Sequence, residues 1–159
     1  MSLDRIDAKI LDILQGDGRA SHSAMAEAVG LSQPSVHERV KKLEQRGIIK
    51  GYTALLDPAA LDLSVLAFIS VRYNTKTEAV AKAVVRMSEV LEVHHIAGED
   101  CLLVKVRCRA PQDLERVLGR IWDSGPVAST KTTIVLSSYK ETCAVPLDVC
   151  LSGNEAASG

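Results

Sequence analysis

The sequence predicts an α+β protein, and three observations predict it. Up to about residue 47, apolar residues recur at intervals of three and four between capping residues, the pattern of short amphipathic helices. From Val65 onward, β-branched runs alternate with helical patterns in the order strand, helix, strand, strand, helix, strand. Between the two regions, Asp57–Pro58 marks a break.

The first helix lies in "LDRIDAKILDILQGDGR", where Leu3, Ile6, Ile10, Ile13 and Leu14 form one stripe, Asp4 stands near the start and Gly16 just past the end. A second, shorter helix follows in "SAMAEAVG", with Ser23 as the expected cap, Met25, Ala26 and Val29 as the apolar face, and Gly30 as the stop. Gly30–Leu31–Ser32 makes a tight turn into the third helix, which Ser32 caps and which carries Pro34 in its first turn, where a missing N–H costs nothing. Val36, Val40 and Leu43 form its buried stripe.

After Gly47, "IIKGYTALLD" reads as a strand or hinge, so the expected organisation is a helical domain over residues 1–50, a linker over 51–61, an α+β domain over 62–142 and a partly disordered tail over 143–159. Within the second domain the expected elements are strand Val65–Tyr73, helix Lys76–Val90, strand Glu92–Ala97, turn Gly98–Asp100, strand Cys101–Arg109, helix Pro111–Asp123 and strand Ala128–Tyr139. That order, βαββαβ, is the ferredoxin-like arrangement of an antiparallel sheet with two helices on one face. The opposite face is then expected to be a subunit interface.

Composition narrows the function. With 159 residues, 47% hydrophobic and 25% charged, the chain can bury one sizeable core or two small ones. A formal net charge of −1 excludes a chain that is basic throughout, so any nucleic-acid contact needs a local positive patch. No run of about 18 apolar residues and no leader pattern occurs, so a cytosolic location without membrane contact is expected. Cys101, Cys108, Cys143 and Cys150 form no C-x-x-C pair and read as reduced thiols.

The positive patch lies on the third helix. Over Ser35–Gly51, Arg39, Lys41, Lys42, Arg46 and Lys50 stand against Glu38 and Glu44, a local excess of three positive charges. A helix pair joined by a glycine turn, with the second member cationic outside, suits the major groove of DNA in width and charge. A solvated charged face on a small bundle is the plainer alternative.

The stretches "LDRIDAKILDILQGDGRAS", "GLSQPSVHERVKKLEQRGIIKGYTALLDP" and "HHIAGEDCLLVKVR" resemble the Lrp/AsnC, or feast/famine, family of transcriptional regulators, over about Leu3 to Lys140. The resemblance implies a winged-type helix-turn-helix joined by a strand to a ligand-sensing ferredoxin-like domain. It also implies dimers paired through the sheets, frequent assembly of four dimers into octameric discs, and a nucleoid-associated place in the cytoplasm. Transferred by motif position, the recognition helix is Gln33–Gln45, and Ser32, Gln33, Ser35, His37, Arg39, Lys41 and Lys42 are the DNA-binding candidates. Lys41 and Lys42 suit phosphate, while Gln33, Ser35 and His37 suit base edges. Arg39, at the edge of the buried stripe, has an intramolecular pair with a helix acid as its competing role.

The turn "AGEDC" between two strands is in itself a polar hairpin. A free amino acid supplies a reason for its residues: an ammonium group wants a carboxylate such as Asp100, and a carboxylate wants backbone N–H groups near Gly98 or hydroxyls of the "STKTT" segment. The effector candidates are therefore Gly98, Glu99, Asp100, Cys101, Thr130, Thr132 and Thr133, with no cofactor expected beyond an amino-acid effector. The family's effector pocket lies at this turn and matches Gly98 and Asp100. The turn is one residue shorter than is usual there, with Cys101 where an aromatic is common.

His94 and His95 lead toward Cys101, but adjacent strand residues face opposite ways and no third orienting group is apparent, so an enzyme is not expected. The same set fits no metal spacing. An architectural DNA-bundling protein without an effector would use the same helix and the same oligomer. Trp122 follows Leu114, Val117, Leu118 and Ile121 on one helix and is expected in core or interface packing.

Overall fold

A computed structural model of the chain describes residues 3–74 and 78–147. Its described residues divide into two compact units, one formed by residues 3–55 with 142–147, the other by Leu56–Glu141. The expected linker over 51–61 is thus split between the units. Residues 143–147 of the segment read as a tail belong with the N-terminal unit; the rest of that tail lies outside the described residues.

The N-terminal unit holds α1 (Arg5–Gly16), α2 (His22–Val29) and α3 (Gln33–Gln45). Each helix starts on a short polar side chain in extended conformation that accepts a backbone N–H two or three residues into the helix. Asp4 accepts from Asp7 N–H at 2.6 Å, Ser21 from Ala24 N–H at 3.1 Å, and Ser32 from Ser35 N–H at 3.3 Å. The α2 cap is Ser21 rather than Ser23, because Ser23 already lies inside the helix. Gly30 ends α2 at φ +70°, a left-handed conformation that lets the chain turn at once into α3. Ile10, Leu11, Met25, Ala26, Val36, Val40 and Leu43 close the core.

Past α3, no strand forms among residues 47–58, although the resemblance implies one. A single strand has no ladder partner within this unit of one chain, and a strand needs one.

In the second unit, β1 (Val65–Tyr73), α4 (Ala79–Val84), β2 (Val90–His95), β3 (Leu102–Cys108), α5 (Pro111–Asp123) and β4 (Val127–Ile134) follow in order. The sheet runs β2-β3-β1-β4 with every neighbour antiparallel, which is the ferredoxin-like order. Of the helix expected over Lys76–Val90, the described residues show Ala79–Val84 as helical, with Glu78 at its N-cap. Its start falls partly in residues 75–77, outside the described set. Its end tightens into three-residue turns, Arg86 N–H to Ala83 C=O and Met87 N–H to Val84 C=O. The last strand stops at Ile134 rather than Tyr139, because its partner β1 begins at Val65 and Val135 N–H makes the final bond, to Leu66 C=O.

Alternation along the central strands sends Ala67, Ile69, Val71, Leu102, Val104, Val106 and Cys108 to one face, where Val80 and Val84 of α4 and Leu114, Val117 and Ile121 of α5 cover them. The opposite face is more polar than the expected apolar interface: beside Phe68 and Leu103 it carries Ser70, Lys105 and Arg107. Trp122 is 45% exposed, beside the inward stripe of α5 and not within the core.

Candidate DNA interface and candidate effector cleft

On α3, a rotation of about 100° per residue aims Val36, Val40 and Leu43 at the core and leaves Pro34, Glu38 and Gln45 facing outward. Lys41 and Lys42 flank that line on its two sides, both exposed, as phosphate contacts along a groove require. Gln33 is exposed at the first position of the helix. The Ser32 side chain caps α3, and the Ser35 hydroxyl lies 2.8 Å from it. His37 packs edge-on against His22, ring centroids 5.0 Å apart, so the base-contact candidates start from a surface already organised by local bonds.

Arg39 takes the alternative role. Its Nη1 lies 2.6 Å from Asp4 Oδ2 and 2.7 Å from Asp7 Oδ1, pinning the recognition helix to the start of α1. Burial acts to raise the Asp4 pKa, but the Asp7 N–H and the Arg39 guanidinium outweigh it and hold the carboxyl below its ordinary value. Asp7 is the buried charged residue of this core, and Arg39 answers it. With Arg39 engaged there, the excess positive charge of the recognition segment falls from three to two. Tyr52, which sequence reading did not single out, donates its hydroxyl to Glu44 at 3.0 Å and closes one flank of α3.

In the second unit, the turn between β2 and β3 is closed by Ile96 N–H to Cys101 C=O and tied to β1 by Cys101 N–H to Val71 C=O. Gly98 sits at φ +140°, outside the range most side chains accept. Against this turn lies a cleft of about 990 Å³. Gly98, Asp100 and Cys101 line it, together with the apolar side chains of Ala81, Val85, Val93 and Ile96 and the polar groups of Asn74, Glu78 and His95. Such a mixture, apolar walls with a few convergent polar groups, is the composition of small-molecule sites.

The other candidates do not join it. Glu99 belongs to the turn but does not line the cleft. Thr130 is opposite Val71, which in turn is opposite Leu102, so β4 lies two strands from β3 and its threonines are about 10 Å from the turn's strand. Thr133, opposite Phe68, faces away from Thr130 and Thr132. The lining residues from β1, α4 and β2 were missed because only the antiparallel pairing brings them beside the turn. The alternation of Val93 and His95 was the available signal.

Cys101 directs its thiol to Tyr73 C=O at 3.7 Å, and His94 lies 3.1 Å from Glu92. Among the described residues, no group of three or more His, Cys, Asp or Glu side chains could hold a metal ion. No described helix is long and apolar enough to cross a membrane.

A helix-turn-helix unit followed by an α+β unit of ferredoxin-like order defines a class of two-unit transcriptional regulators. Residues 3–44 match the AsnC-type helix-turn-helix domain and residues 65–145 the Lrp/AsnC ligand binding domain. The chain belongs to the Lrp/AsnC family of helix-turn-helix transcriptional regulators. It is similar to the HTH-type transcriptional regulator FL11 of Pyrococcus horikoshii, 39% identical over 146 residues, covering 91% of this chain and 97% of that one. It is similar also to the leucine-responsive regulatory protein of Escherichia coli, 38% identical, covering 87% and 88%. Among solved structures, a transcriptional regulator in complex with L-Met from Neisseria meningitidis superposes with a TM-score of 0.88 at 32% identity, covering 93% of this chain and 99% of that one.

Proposed function

We propose that this chain is a sequence-specific reader of double-stranded DNA whose binding or assembly is set by a small amino-acid-like effector held in the cleft at the β2–β3 turn. The observation that carries the reading is the placing of Asp100 and Gly98 on one cleft wall: a carboxylate for an ammonium group, beside backbone that a glycine leaves bare. The apolar walls favour an effector with an apolar side chain. The L-Met bound by the Neisseria relative is an amino acid of that kind.

Lys41 and Lys42 supply phosphate contacts, and Gln33, Ser35 and His37 the candidate base contacts. The working form is a homodimer, or an assembly of dimers, so that two recognition helices meet two related half-sites; this fits a cytoplasmic, nucleoid-associated protein. Catalysis has no part in this reading. A thermal-shift screen against the common amino acids, followed by gel shift with and without each hit, tests it. A hit that alters DNA binding supports the reading. Absence of any hit, with DNA binding intact, favours the architectural DNA-bundling alternative.

A further inference from the structure

A second cavity, of about 280 Å³, lies within the N-terminal unit, between the α1–α2 loop, the start of α2 and one flank of α3. His37, Lys41 and Glu44 reach it from α3, spaced four and three residues apart and so on one stripe of that helix. Arg19 joins them from the loop and His22 from the first position of α2, while Tyr52 lines the cavity beside Glu44.

Two cations of this wall have no acid of their own. Asp4 and Asp7 are taken by Arg39, and among the described residues neither Arg19 nor Lys41 has a carboxylate within ion-pair distance. Asp17 turns its Oδ1 to the backbone N–H of Arg19 at 2.8 Å and so fixes the loop that presents the guanidinium. Glu44 accepts the Tyr52 hydroxyl at 3.0 Å. With both imidazoles neutral, Arg19 and Lys41 against Glu44 leave the wall one positive charge in excess. The His22 and His37 rings meet edge-on, centroids 5.0 Å apart, so each steadies the other, and a neutral imidazole still offers one N–H donor.

A guanidinium, an ammonium group and two imidazole donors around one space match the oxygens of a phosphate group. The cavity is smaller than the roughly 300–1,000 Å³ of a site for a whole drug-sized ligand, so it suits one group of a larger molecule. Its wall includes the exposed His37 and Lys41 of the recognition helix, which points to DNA as that molecule.

We propose that this cavity clasps one backbone phosphate of DNA, with Arg19 and Lys41 supplying charge and His22 and His37 supplying N–H donors. Lys42, on the other flank of α3, then meets the strand across the groove, so the helix is held between two rows of phosphates. This inference rests on the DNA-binding half of the proposed function. It adds Arg19 and His22, which lie outside the recognition helix, and moves His37 from base edges to the backbone.

Fluorescence anisotropy of the full-length protein with a mixed-sequence duplex, across a salt series, tests the clasp. Arg19 is exposed, so substitution there spares the core. Arg19→Gln should reduce the slope of log affinity against log salt by roughly 1 per subunit, and Arg19→Lys should restore it. His22→Phe keeps the ring packing but removes the donor. Affinity should then fall about two- to ten-fold at unchanged slope, because a neutral donor displaces no counterion. Unaltered affinity and slope in Arg19→Gln overturn the clasp, and a slope still lost in Lys42→Ala would leave the DNA reading standing. Indifference of the unaltered protein to the duplex overturns both. A thermal-shift titration with inorganic phosphate reads the other source of the same group. Stabilisation that Arg19→Gln abolishes, with its DNA slope unchanged, would make a free phosphorylated molecule the occupant and overturn the assignment to DNA.

Discussion

The Arg39 guanidinium of the recognition helix sits 2.7 Å from the Asp7 carboxylate of α1, so a cation that the DNA surface could have used holds the helix in place instead. Arg39 is 31% exposed and Asp7 13%, a pair partly removed from water, in which losing one partner leaves the other poorly solvated. Arg39→Ala should therefore destabilise the N-terminal unit by about 1–3 kcal/mol in urea unfolding. If instead stability is unchanged and only DNA affinity falls, Arg39 belongs to the DNA contacts.

Asp4, the second carboxylate on Arg39 at 2.6 Å, gives this cluster a pH signature. Because the folded-state pKa of Asp4 is lowered, its contribution is present above the ordinary value of 3.8 and disappears as pH falls through the lower folded value. Unfolding midpoints followed downward from pH 5 should show the unaltered protein losing stability faster than Arg39→Ala below about pH 4. Parallel curves would remove the ion pair as the cause.

Lys42, exposed on the outer flank of α3, should act on DNA through phosphate alone. Lys42→Ala should weaken binding to all sequences alike and reduce the slope of log affinity against log salt by roughly 1 per subunit. Fluorescence anisotropy across a salt series checks both, and a changed sequence preference at constant slope would place Lys42 at a base edge.

Asp100→Ala should weaken effector binding by about 30-fold, the lower end of the range for deleting one partner of a buried charge pair, since Asp100 keeps part of its exposure. DNA binding without effector should persist, because the helix-turn-helix closes its own core. Isothermal titration with the screen's best amino acid measures the first, and gel shift on the same preparation the second. Unchanged affinity removes Asp100 from the site.

Cys108 is buried on the inner sheet face, and burial, helped by Glu89 and Asp113, pushes its thiol pKa up. Cys143 is exposed. Iodoacetamide at neutral pH should therefore modify Cys143 well before Cys108 in the folded protein, and peptide mapping reads the order. Comparable rates would mean that the sheet unit opens readily.

What the sequence determined by itself is what neighbours within about four residues decide. Ser32 three residues before Ser35, Pro34 in the first turn and Val36, Val40 and Leu43 on one stripe specify α3 and its outer face without reference to the rest of the chain, because caps and helical periodicity are local. The βαββαβ order was legible likewise from alternation and turn residues. Tertiary structure decided the rest, where two partners compete or where adjacency crosses the sheet. Arg39 faced a choice between DNA and an acid 32 residues away, and packing of α1 against α3 settled it. The β4 threonines and the turn of Asp100 looked equally polar in sequence, but strand order β2-β3-β1-β4 parts them and brings Val93, His95 and Asn74 to the cleft instead. Val145 had no local signal at all: its carboxamide partner lies 130 residues earlier, and only the folded chain brings Gln15 to it.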